Sequence, residues 1–105
     1  MTSRTLMSTV YKILTNAEFR AFTAEGVFSG NAMDKKDGYI HMSSNVVQYE
    51  RIRKKYYSTE EKVCLLNIDA SRLDNLKYEA ISSGDIYPHQ YGILKLSNVI
   101  KVDEI

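Results

Sequence analysis

Residues 62–69 read KVCLLNID, and between the lysine and the aspartate the apolar positions run on almost without interruption. A strand with one wet face alternates, so this segment is expected to lie in the middle of a sheet, buried on both sides. The stretch after it, ASRLDN (70–75), reads as a turn or a short helical turn. LKYEA (76–80) does alternate and predicts a strand with Lys77 and Glu79 facing opposite to Leu76 and Tyr78. The tail GILKLSNVIKVDEI (92–105) offers one or two further strands around Ser97 and Asn98.

Towards the N-terminus, VYKIL (10–14) is short and β-prone, and Thr15 followed by Glu18 has the spacing of a capping box. A strand running into a helix follows, with Phe19 and Phe22 on its buried face and Gly26 placed to end it. Val27 and Phe28 then re-enter the core. SGNAMDKKDG (29–38) is dense in turn formers and charges and is expected to be a solvated loop bordering a cleft. GYIHM (38–42) reads as a strand with Tyr39 and His41 on one side, Ile40 and Met42 on the other. Ser43, Ser44 and Asn45 are good caps for a second helix over 45–57, on which Tyr49, Ile52 and Tyr56 share a face. Arg51, Arg53, Lys54 and Lys55 on that helix read first as its solvated face, with phosphate binding as the alternative.

The order β, α, β, α, β, β, loop, β describes one α+β domain, and 105 residues give room for one compact core with little left over for a second lobe. Only the first eight residues are expected to be flexible. With 14 basic against 13 acidic side chains there is no net field to hold a polyanion, so generic nucleic-acid binding is not expected. The single cysteine, Cys64, lies inside the apolar run and reads as a buried free thiol, which suits a reducing compartment. No run approaches the length of a membrane span or a secretory signal, and the expected location is cytoplasmic.

The chemistry gathers at two histidines, in YIHMSS (39–44) and YPHQYG (87–92), each bracketed by aromatic and hydroxyl residues. Pro88 fixes its own φ and biases Tyr87 towards extended geometry, while Gly92 leaves room for a turn or a close ligand. A histidine among tyrosines is often only a half-buried packing residue; the functional case rests on the pair together with Glu79, Ser43 and Tyr91. Two histidines and a glutamate can also make a three-ligand metal site, but the chain has no HxxxH or HExxH spacing, and no metal is expected. Ser43 and Ser44 lie in no GxSxG elbow and Cys64 sits within an apolar strand, which argues against a serine or cysteine nucleophile.

Taken jointly, VYKIL, DGYIHMSS (37–44), CLLNID (64–69) and YEAISSGDIYPHQYG (78–92) resemble the DUF952 family, small proteins of unknown function. Tyr39, Tyr87 and Gln90 depart from that family's usual Phe, Phe and Leu. The resemblance implies an ADP-ribosyltransferase-like fold, a mixed split β-sheet with two early helices and NAD as the candidate ligand in the cleft between its halves. It places Lys12 at the early-strand ligand position, gives His41 the donor role, stacks Tyr91 on the ligand and sets Glu79 or His89 near a reacting ribose. Gly38, Ser43 and Gly92 complete the implied ligand surface. If the protein is an enzyme, the implied chemistry is glycosyl or ADP-ribosyl transfer, or NAD glycohydrolysis. The alternatives are a non-catalytic protein-interaction module, and phosphate-ester or RNA binding through Arg51, Arg53, Lys54 and Lys55.

Overall fold

A computed structural model describes residues 8–105; the first seven, where flexibility was expected, lie outside the described residues. Strand β1 (Thr9–Leu14) leads into helix α1 (Asn16–Glu25), then β2 (Val27–Phe28), α2 (Ala32–Asp37), β3 (Ile40–His41) and α3 (Val46–Tyr56). The second half holds β4 (Cys64–Asp69), β5 (Leu76–Ala80), β6 (Ile86–Gln90), β7 (Leu94–Lys95) and β8 (Val99–Glu104), with 3-10 turns at Ala70–Arg72 and Leu96–Asn98. This is a mixed α+β domain, and among the described residues no helix is long and apolar enough to cross a membrane.

The strands form two three-stranded sheets, β1-β4-β8 and β3-β6-β5, and a two-stranded ribbon, β2-β7. Every pairing among the described residues is antiparallel, so the expected mixed sheet is corrected to antiparallel sheets. The run that reads as buried on both sides is the central strand β4: Leu66 and Ile68 enter the larger core with Val10, Leu14, Phe22 and Ile40, while Leu65 enters a smaller one with Ile13 and Val63. Tyr11, Tyr49, Ile52 and Tyr57 cover the smaller core. Tyr57 holds the place expected of Tyr56, which is exposed because α3 ends there.

Helix α1 follows the sequence reading closely. Thr15 accepts from the Glu18 N–H and Glu18 bonds back to the Thr15 N–H, which satisfies two orphan donors, and Gly26 closes the helix. The same device turns the middle of the expected loop over 29–38 into a helix. Asn31 caps the Asp34 N–H at 3.0 Å, Asp34 accepts from the Asn31 N–H at 3.0 Å, and Gly38 ends α2 in the left-handed conformation with φ 86°. Among the described residues there are therefore three α-helices rather than the two expected, and Gly38 serves as a helix cap instead of opening a strand.

The expected loop around Pro88 is likewise a strand, the middle one of its sheet. Proline lacks the N–H that a central strand needs, and β6 accommodates it where the neighbouring ladder stops. The Met42 N–H still donates to the Pro88 carbonyl at 3.1 Å, but no reciprocal bond can form, and β3 extends only over Ile40 and His41. The two larger sheets are joined beyond that point by a pair of bonds between Tyr11 and Ser43, 2.8 Å in each direction.

Candidate functional site

Cross-strand register sets the two histidines side by side, His41 of β3 opposite His89 of β6, with ring centroids 6.0 Å apart. Tyr39 lies over both, stacked on His89 at 3.9 Å and tilted against His41 at 4.7 Å. The pair that the sequence singles out is thus one cluster on one face. Exposure separates its members: the His41 side chain is 28% accessible, that of His89 only 4%.

Asp34, which the sequence reading passed over, organises the His41 side. Its Oδ1 accepts from the His41 backbone N–H at 3.0 Å and lies 2.7 Å from His41 Nδ1, while Lys12 Nζ lies 3.0 Å from Oδ2. Burial would raise the Asp34 carboxyl, but the hydrogen bond from His41 and the charge of Lys12 outweigh it and hold the group at about 2. Burial lowers Lys12, against the pull of Asp34, and its ammonium also donates to the His41 carbonyl at 2.9 Å. Asp37 takes the other His41 nitrogen, Nε2, at 2.9 Å. Both nitrogens of His41 are therefore engaged, and Lys12, expected at the ligand, is held in a buried ion pair with Asp34.

The signal for Asp34 was present in the chain. Asn31 and Asp34 have the spacing of a capping box, with Gly38 to end the turn, as Thr15, Glu18 and Gly26 do one helix earlier.

Glu79 stands behind His89. Its Oε1 is 2.7 Å from His89 Nδ1 and accepts from the Tyr91 hydroxyl at 2.6 Å. Hydrogen bonds from Tyr91 and His89 lower the Glu79 carboxyl, and the same carboxylate pushes the Tyr91 phenol up to about 12. Tyr91→Phe is expected to return the Glu79 carboxyl towards its ordinary range without unfolding the domain, because the Tyr91 side chain is exposed. Carboxyl carbon shifts followed through an acid titration measure this directly, and an unchanged Glu79 midpoint would contradict it.

Tyr39, both histidines, Asp34 and Lys12 border a cleft of about 870 Å³, within the ~300–1,000 Å³ range of small-molecule sites. One wall carries Tyr39, His41, Tyr87 and His89 from the β3-β6 pair, with Lys12 and Ser43 at its base. Helix α3 supplies the other wall through Arg51, Lys54, Lys55 and Tyr56. Arg51 also reaches across the rim to Asp85 at 2.9 Å, whereas Lys54 and Lys55 have no acidic partner among the described residues. Arg53 is different: it bonds the carbonyls of Tyr57, Glu60, Glu61 and Ile105 and braces the end of α3.

Of the remaining expected site residues, Ser43 is buried and joins the sheets, while Glu79 and Tyr91 do not line this cleft. Gly38, Tyr91 and Gly92 border a smaller hollow of about 310 Å³ beyond Tyr39. A Cβ at Gly92 would come within 3.1 Å of Gln90 Nε2, so the glycine serves the packing of that buried glutamine. No group of three or more metal-ligating side chains is gathered among the described residues.

A family model described as a protein of unknown function (DUF952) matches residues 13–102. Among solved structures the chain is similar to the crystal structure of protein CC0527 from Caulobacter crescentus, with 36% identity and a TM-score of 0.85 over 91% of this chain and 84% of that one. It is also similar to the solution NMR structure of CC0527, with 37% identity and a TM-score of 0.80 over 92% of this chain and 84% of that one. No curated protein matches.

Proposed function

The chain belongs to the DUF952 family of proteins of unknown function, and from the cleft we propose that it binds a nucleotide, with NAD, by fold analogy, as the candidate ligand. The observation that carries the reading is the composition of the two walls. An imidazole-tyrosine cluster faces Arg51, Lys54 and Lys55 across one cavity of nucleotide-accommodating size. The half-exposed Tyr56 ring adds a flat surface on which a base can stack.

The division of the strands between two larger sheets supports the ADP-ribosyltransferase-like analogy, which supplies the choice of NAD. The roles differ from those the resemblance implies. In this reading Lys12 secures the base of the cleft through Asp34, and Glu79 acts on the ligand only through His89.

An amide NMR titration with NAD tests the proposal. Saturable shifts are expected at residues 39–43, 51–56 and 86–89, and Lys54→Gln with Lys55→Gln should weaken binding about tenfold and flatten its salt dependence. Absence of shifts at millimolar NAD would refute the reading.

A further inference from the structure

His89 keeps a ring nitrogen that His41 does not. Its Nδ1 is held by Glu79, a carboxylate that accepts, so Nδ1 carries a proton and, in the neutral form of the ring, Nε2 is the lone-pair acceptor. Nε2 has no hydrogen-bond partner among the described residues. Nor is it sealed away, because Gln90 Oε1 is the one buried side-chain polar atom without a partner there. His89 lines the large cleft, while Glu79, which holds Nδ1, does not.

An acceptor of this kind selects a hydroxyl. The facing wall, where Lys54 and Lys55 have no acidic partner among the described residues and Lys55 Nζ lies 5.2 Å over the Tyr56 ring, selects an anion. The geometry points to a sugar phosphate as the recognised unit, its hydroxyl donating to His89 Nε2 and its phosphate lying against Lys54 and Lys55. This rests on the nucleotide reading and deepens it: the ribose phosphate, more than the base, carries recognition. Glu79 is then a positioning residue that fixes the His89 tautomer, and Tyr91 steadies Glu79 by sharing the same oxygen.

Titrations with ribose 5-phosphate, inorganic phosphate and NAD test the assignment. Wild-type protein is expected to bind ribose 5-phosphate about tenfold more tightly than inorganic phosphate. His89→Phe, which keeps an aromatic ring beneath Tyr39, should erase that preference and leave inorganic phosphate unaffected. Lys54→Gln with Lys55→Gln should weaken both by the same factor. Glu79→Gln can donate to Nδ1, so long-range proton-nitrogen spectra should show the proton moving to Nε2 and the sugar preference falling with the ring still in place. Equal affinity of the wild type for the two phosphates, or a preference that survives in folded His89→Phe, overturns the inference even if NAD binds. Failure of all three ligands overturns the nucleotide reading with it.

Discussion

Asp34→Asn is expected to destabilise the fold by roughly 3–5 kcal/mol, the range for breaking one side of a buried ion pair. Lys12 is 5% exposed and Asp34 2%, so water cannot take over the lost partner. The carboxamide keeps one oxygen but turns its NH2 towards donors that already face Asp34, namely Lys12 Nζ, the Asn31 N–H and His41. A domain of this size should lose on the order of 12 °C or more in melting temperature. Combining it with Lys12→Met should recover much of the loss, since the stranded cation is the costly product. A single variant that melts within about 3 °C of wild type, or a double variant no better than the single one, would contradict this account.

The same group sets an acid limit. Asp34 is held at about 2 in the fold against an ordinary 3.8, so it binds its proton more readily in the unfolded chain. A depressed carboxyl contributes stability above its unfolded value, and that contribution disappears as pH falls from about 4 through 2. The shift corresponds to about 2 kcal/mol. Asp34→Asn should therefore be markedly less sensitive to acid across that window than the wild type.

What was legible in the chain, and what was not, follows from which interactions are local. The first helix was readable because Thr15, Glu18 and Gly26 bond within the helix they delimit. The central strand was readable because burial on both faces leaves no polar alternation. The histidine pair was legible through its unusual neighbours, and the sheet register then placed the rings together. The strand through Pro88 was hidden because its tolerance of proline depends on where β3 ends, a fact of pairing and not of composition. The long-range contacts of Asp34 and Asp37, unlike the capping role of Asp34, were hidden for a related reason. In sequence the two aspartates are charges in a polar stretch, and only the packing of α2 against β3 buries Asp34 against Lys12 and His41 and brings the exposed Asp37 to His41.

The two cores flanking β4 predict different consequences for neighbouring substitutions. Leu66 is fully buried in the larger core, and Leu66→Ala should cost about 3–4 kcal/mol, within the ~2–5 kcal/mol range for such cavities. Leu65 lies in the smaller core, where partly exposed tyrosines can settle into the space, and Leu65→Ala should cost about 2 kcal/mol. Ligand binding should rank the other way. The smaller core is covered by Tyr11, Ile52 and Tyr57, which also line the large cleft, so loosening it displaces the α3 wall that carries Lys54 and Lys55. Leu65→Ala is expected to weaken NAD severalfold, while Leu66→Ala, measured where it remains folded, should bind nearly as the wild type does. Denaturant unfolding and NAD titration of both variants decide the matter. If affinity falls in parallel with stability, the α3 wall is not supported separately by the smaller core.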